Sequence, residues 1–110
     1  MRWAVLLALL VAGCPDAAPQ NVILTPQGET VQIATAAPDL GVYVLVGELR
    51  AEAMGVDADE ATQSARNELR NQAAALRATF VTIDKNEGAG GGYRDRIRVI
   101  LIGRAFRPKD

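Results

Sequence analysis

The sequence predicts an α+β domain with one amphipathic helix packed on one face of a small mixed or antiparallel sheet, in the order β-β-β-α-β-β. Short runs of β-branched and aromatic residues indicate strands. A single stretch has apolar residues at three- and four-residue spacing, which indicates a helix. Turn residues separate these segments. The predicted domain covers residues 22–110, and residues 14–21 are expected to form a tether rich in Pro and Ala.

Three strands are predicted before the helix. Residues 22–24 and 31–33 are short apolar runs around Pro26 and Gly28, a pattern typical of two strands and a turn. A loop is expected at residues 38–41. Residues 42–49 read VYVLVGEL and are the clearest strand, because β-branched and aromatic side chains dominate them.

The predicted helix begins after Asp57, whose side chain can cap the first turn, with Glu60 three residues later. Its apolar stripe is mostly alanine, so we expect the helix to lie close to the sheet. The stripe consists of Ala61, Ala65, Leu69, Ala73 and Leu76.

The last two predicted strands are residues 79–84 and 94–106, joined by a Gly-rich turn. Charge predicts their register: pairing Asp84 with Arg96 also places Lys85 opposite Asp95, whereas a slip of one residue sets like charges against each other. This register puts one set of side chains under the helix. They are Val81, Ile83, Ile97, Val99 and Leu101.

The opposite face of this hairpin carries Phe80, Ile100, Ile102 and Phe106, which one helix cannot cover as well. Either the two N-terminal runs fold onto the sheet or along its edge, or part of the face stays open for a partner or a second copy. We expect cover for Phe80 and an open surface at Ile102 and Phe106. Two basic residues, Arg94 and Arg98, are expected on its rim.

The first 13 residues predict a lipoprotein signal peptide. One basic residue precedes an apolar run at residues 4–12, which is too short to span a membrane. The ending Val11-Ala12-Gly13-Cys14 resembles the lipobox of bacterial lipoproteins. That resemblance implies cleavage before Cys14 and acylation of its thiol, which would anchor the chain in a membrane. We therefore expect the periplasmic side of the cell envelope, at the outer membrane in preference to the inner one.

The remaining chemistry-bearing residues are few. Histidine is absent, Cys14 is the only cysteine, and Ser64, the only serine, falls within the predicted helix. The sequence therefore lacks the residues that a serine or cysteine nucleophile with a histidine base requires. It also lacks the residues that usually bind zinc, copper or iron. Loss of Arg2 with the signal leaves 11 basic against 13 acidic residues, which argues against nucleic acid. We expect no catalytic residue, no metal and no cofactor.

Two motifs suggest ligands at first sight. Asp84, Asn86 and Asp95 match positions one, three and twelve of an EF-hand loop, but Gly88 and Ala89 stand where a ligand and the required glycine belong. Residues 88–93, GAGGGY, lack the Lys-Ser/Thr ending of a phosphate loop and join two strands instead of opening a helix. Both are better explained as a solvated hairpin turn.

Three segments together, YVLVGEL, ARNELRNQAAALRATFV and ILIGRAF, resemble the bacterial lipoproteins grouped as domain of unknown function 4156, over residues 43–106. The chain is more distantly similar to the outer-membrane lipoprotein that senses stress for the Rcs phosphorelay. In such relatives the helix usually ends Gly-Ala-Asn, where this chain has Arg77-Ala78-Thr79, and cysteines absent here are common. The resemblance implies an α+β domain and no activity.

These observations favour a non-catalytic, lipid-anchored envelope protein with a structural or sensor-like interaction domain. The alternative is a lipoprotein that binds a small ligand or ion. An uncovered apolar sheet face would favour the first function, and an enclosed pocket the second.

Overall fold

The computed structural model describes residues 19, 21–88 and 96–109 of the chain. One helix packs against a four-stranded mixed sheet, which confirms the α+β prediction. Cys14, Arg94 and the predicted signal peptide lie outside the described residues. The elements in chain order are a 3-10 helix at Gly28–Thr30, β1 at Gln32–Ala34, β2 at Tyr43–Gly55, α1 at Ala58–Ala75, β3 at Phe80–Asn86 and β4 at Ile97–Pro108.

The sheet has the strand order β1-β3-β4-β2, with β1 parallel to β3 and the other neighbours antiparallel. The two edges differ greatly in length, because β1 has 3 residues and β2 has 13. The helix follows directly from β2, and it packs mainly over β2 and β4.

The first predicted strand, at residues 22–24, is wrong. This segment runs along the outer side of α1, where helix side chains bind its backbone. The Asn67 amide donates to the carbonyl of Val22 (2.9 Å), and the Asn71 amide donates to the carbonyl of Ile23 (2.9 Å). Asn71 also accepts from the backbone amide of Thr25 (2.9 Å). Two asparagines one helical turn apart thus supply the bonds that a sheet neighbour would otherwise supply.

The core lies between α1 and the sheet, and most of it is alanine. The predicted helix stripe is buried from Ala61 to Ala73, but Leu76 caps the helix end and is 42% exposed. Small side chains on both layers allow a close approach. At Gly55, a Cβ would lie only 2.5 Å from the backbone nitrogen of Ala61. The fully buried alanines are Ala51, Ala53, Ala61, Ala65, Ala73 and Ala105.

The predicted register of the last hairpin is also wrong. Val81 lies opposite Ala105, six residues beyond the predicted Val99, and a bulge follows between Ile83 and Lys85. The observed register, which has a longer connection, also avoids like charges opposite each other, since Lys85 lies opposite Ile102. A slip of six is even, so it leaves each side chain on its original face. The face assignment is therefore correct: Val81 and Val99 are buried in the core beneath the helix.

A close contact in the sheet accompanies this register. Gly103 lies opposite Ile83, next to the bulge, and a Cβ on Gly103 would overlap the carbonyl oxygen of Thr82. Glycine in a strand often marks such an approach of two backbones.

The helix ends in a Schellman motif. The backbone amide of Arg77 donates to the carbonyl of Ala74 (2.8 Å), and that of Ala78 donates to the carbonyl of Ala73 (2.9 Å). Arg77 has a φ of 63°, in the left-handed region that glycine usually occupies at this position.

Replacing Arg77 with glycine should therefore stabilise the fold, by about 0.5–1 kcal/mol, because glycine has no Cβ to oppose this φ. Urea unfolding of the wild type and of Arg77→Gly measures the difference. Arg66→Gly is the matched control, because Arg66 lies within the helix and glycine there should cost about 1 kcal/mol. A loss of stability in both variants would contradict the prediction.

Candidate functional site

The candidate site is the face of the sheet opposite α1, which we call the open face. No helix or strand among the described residues packs on it. Side chains on paired strands share a face with their cross-strand partners, so the register defines its members. From β2 they are Tyr43, Leu45, Glu48, Arg50, Glu52 and Met54; from β3 they are Phe80, Thr82 and Lys85; from β4 they are Arg98, Ile100, Ile102, Arg104 and Phe106.

Three aromatic rings cluster at one end of the open face. Phe80 lies with its ring centroid 5.3 Å from that of Phe106 in a stacked arrangement, and 5.0 Å from that of Tyr43 in an edge arrangement. The guanidinium of Arg104 lies 5.6 Å from the Phe106 ring centroid. Ring–ring and cation–π contacts of this kind stabilise the folded state beyond the burial of apolar area alone.

These neighbours correct the expectation for Phe106. The residue lies on the predicted face, but it is only 1% exposed, so it offers no surface to a partner. Sequence reasoning did not place Tyr43 or Arg104 beside it. Phe80, for which cover by the N-terminal runs is expected, is half-buried: β1 lies along the edge next to it, and its ring contacts those of Tyr43 and Phe106.

A bidentate ion pair lies beside the aromatic cluster. Arg104 donates from Nε to Asp84 Oδ2 (2.7 Å) and from Nη2 to Oδ1 (3.0 Å). The hydroxyl of Thr82 also donates to Oδ1 (3.0 Å). The hydrogen bonds from Arg104 hold the pKa of Asp84 below its ordinary value, against an opposing effect of burial. The predicted pairing of Asp84 with Arg96 is therefore wrong.

A second ion cluster occupies the middle of the open face. Glu52 accepts from Arg50 through Oε1 (3.0 Å) and from Arg98 through Oε2 (2.9 Å). Arg98 is exposed on this face, where the sequence predicted a rim residue. Ile102 is half-buried and lies between its cross-strand partners Arg50 and Lys85. The surface around Ile102 is thus charged, with one apolar side chain partly accessible.

The Asp84 pair predicts a pH dependence of stability. Because the folded pKa lies below the unfolded one, the stabilisation is present in full above the unfolded value near 3.8 and is lost as pH falls through the folded value. Asp84→Asn should therefore lower the Tm at pH 6 to 7, and the difference from wild type should shrink below about pH 4.

Thermal melts between pH 2.5 and 7 test this. Glu87→Gln is the control, because Glu87 makes only a 3.7 Å contact with Lys85 and both side chains are well exposed. A difference for Asp84→Asn that stays constant over the whole pH range would show that its charge is not the cause.

The geometry supplies no reactive arrangement among the described residues. No group of three or more Cys, His, Asp or Glu side chains is placed there to hold a metal ion. Of the EF-hand-like positions, Asp84 is bound to Arg104, Asn86 accepts from the amide of Gly88 (3.0 Å), and Asp95 lies outside the described residues. Ser64 accepts from the amide of Val22 (3.4 Å), which is a structural role.

One depression of about 410 Å³ lies at the C-terminal end of α1 and is open to solvent. Its lining includes Pro26, Gln27, Thr30, Ala74 and Arg77. Ligand pockets bury most of the surface of a ligand, which a depression open to solvent does not. This shape does not favour a small-molecule site.

Within the described part of the chain, no helix is both long and apolar enough to cross a membrane.

No known family model matches the chain, and a search of curated proteins found none similar to it. The resemblance to the lipoproteins of domain of unknown function 4156 stays a prediction.

Proposed function

We propose that this chain is a lipid-anchored protein of the bacterial cell envelope whose folded domain acts by protein contact through the open face. The observation that carries the proposal is the one-sided packing: α1 covers one face of the sheet, and no described helix or strand covers the other. Arg50, Arg98 and Ile102 remain accessible or partly accessible there. Mixed charges around a few apolar side chains are typical of the polar part of a protein interface.

The proposed anchor is Cys14, on the strength of the Val11-Ala12-Gly13-Cys14 sequence. The first described contact after it is at Pro19, whose carbonyl accepts from the amide of Met54 (2.9 Å). Residues 15–18 therefore separate the anchor from the domain, and an extended chain of this length reaches about 15–20 Å. The domain would work close to the membrane that holds it.

The alternative, a lipoprotein that binds a small ligand or ion, has less support. The described depression is open to solvent, and the described acidic residues form no cluster that suits a cation. A contact function needs neither an enclosed pocket nor a reactive group.

Lipidation has a direct test. The membrane-extracted wild-type protein should have a mature chain that begins at Cys14 and carries acyl groups, as measured by intact mass spectrometry. Cys14→Ser should abolish both the acylation and the anchoring. Pro15→Ala, which leaves the thiol in place, should stay acylated. A soluble wild-type protein with a free thiol at residue 14 would exclude the anchor.

Contact through the open face has a separate test. A photo-crosslinking residue in place of Ile102 should give one discrete adduct in cells. The same residue in place of Gln63, which is exposed on the outer side of α1, should give none. Equal labelling from both positions, or none from Ile102, would count against an interface on this face. Circular dichroism of both variants checks that they fold.

A further inference from the structure

The outer edge of β2 is long, and most of its backbone has no hydrogen-bond partner among the described residues. The opposite edge strand, β1, has 3 residues, whereas β2 has 13. Across residues 44–53, no other described segment forms a backbone hydrogen bond to this outer edge. Proteins usually shorten or cover such edges, because their unpaired amides and carbonyls are a template for another strand.

The backbone of β2 shows which residues would pair there. The amide of Met54 points to the outer edge, because it donates to the carbonyl of Pro19 (2.9 Å). Backbone groups alternate in direction along a strand. The amides and carbonyls of Glu52, Arg50 and Glu48 therefore point outward as well, and Pro19 closes the edge at one end.

The side chains of those three residues alternate in charge, so the register of a two-fold self-pairing can be argued. An axis at Arg50 would set Arg50 against its own copy and Glu48 against Glu52, with like charges in contact. An axis at Ala51 sets Arg50 against Glu52, but Pro19 bound to Met54 then limits the ladder to residues 49–53. An axis at Leu49 sets Glu48 against Arg50 twice and allows a longer ladder, residues 45–53, before Met54 and Pro19 are reached.

We propose that β2 pairs antiparallel with β2 of a second copy of this chain, about a two-fold axis at Leu49. Glu48 and Arg50 of each copy would then face Arg50 and Glu48 of the other on the open-face side. The half-buried Leu49 would meet its own copy on the helix side. A two-fold interface uses the same patch on both chains, so one self-complementary strand is sufficient. The inference rests on the proposed function only in that the domain acts by protein contact.

The existing contacts of these residues permit the exchange. Arg50 is bound to Glu52 of its own strand, but its side chain is 57% exposed, and ion pairs at such positions are weak. Glu48 is exposed opposite Arg104. Pairing with a second copy would therefore add contacts to Arg50 and Glu48 without breaking a buried one.

Charge reversal tests both the interface and its register. The full chain is purified in a density-matched detergent, and its dimerisation is measured by sedimentation equilibrium. Arg50→Glu should oppose Glu48 with glutamate, and Glu48→Arg should oppose Arg50 with arginine, so each variant should dimerise about tenfold or more weakly than wild type. A mixture of the two variants should form the heterodimer, because both facing pairs become opposite in charge again. Lys85→Glu, on the same face but on β3, is the control and should dimerise as wild type.

Recovery in the mixture separates this interface from misfolding, since two unfolded variants would not rescue each other. A monomeric wild-type protein, or no recovery in the mixture, would overturn the proposal. Loss of dimer in Arg50→Glu but not in Glu48→Arg would also overturn it, because that result belongs to an axis at Ala51. None of these results depends on acylation of Cys14 or on crosslinks to other proteins from Ile102, so the proposed function stands or fails separately.

Discussion

The close contact between an alanine-lined helix and a sheet of small residues is the constraint on which the rest of the fold depends. Ala61 and Ala65 belong to the same buried cluster as Ala51 and Ala53, all four are fully buried, and the start of the helix lies against Gly55. Small side chains bury little area each, so the layers must approach closely for dispersion to stabilise them. The short connection from β2 into α1 then holds the helix over one edge of the sheet.

This placement divides the domain into two unlike sides. The N-terminal segment is bound to the helix through Asn67 and Asn71, and no described helix or strand packs on the open face. Contacts within the open face itself satisfy its side chains. Aromatic stacking buries Phe106, and ion pairs with Asp84 and Glu52 neutralise neighbouring arginines. The result is a face on which several ion pairs form within the chain yet remain partly accessible, a pattern typical of the polar part of a protein interface.

Local patterns were sufficient to predict much of this arrangement. The spacing of apolar residues predicted the helix and its buried stripe, and the alternation in β4 placed Arg98 and Ile102 on the face away from the helix. That alternation could also have placed Arg104 there, since it lies two residues from Ile102. The face of Phe106 is predicted correctly but its exposure is not, because its ring stacks on Phe80 of another strand, a contact that no local pattern predicts.

The sequence by itself determined the α+β class, the strand–helix–strand order after residue 42 and the face of each β4 side chain, because these depend on periodicities within one segment. Only the tertiary structure decided the register of β3 on β4, the partner of Asp84 and the path of residues 22–24 along the helix. Each of these is a competition between distant segments for the same hydrogen bonds. A single pair of opposite charges contributes less free energy than the burial of the apolar side chains of a whole strand. Local charge pairing therefore does not decide the register.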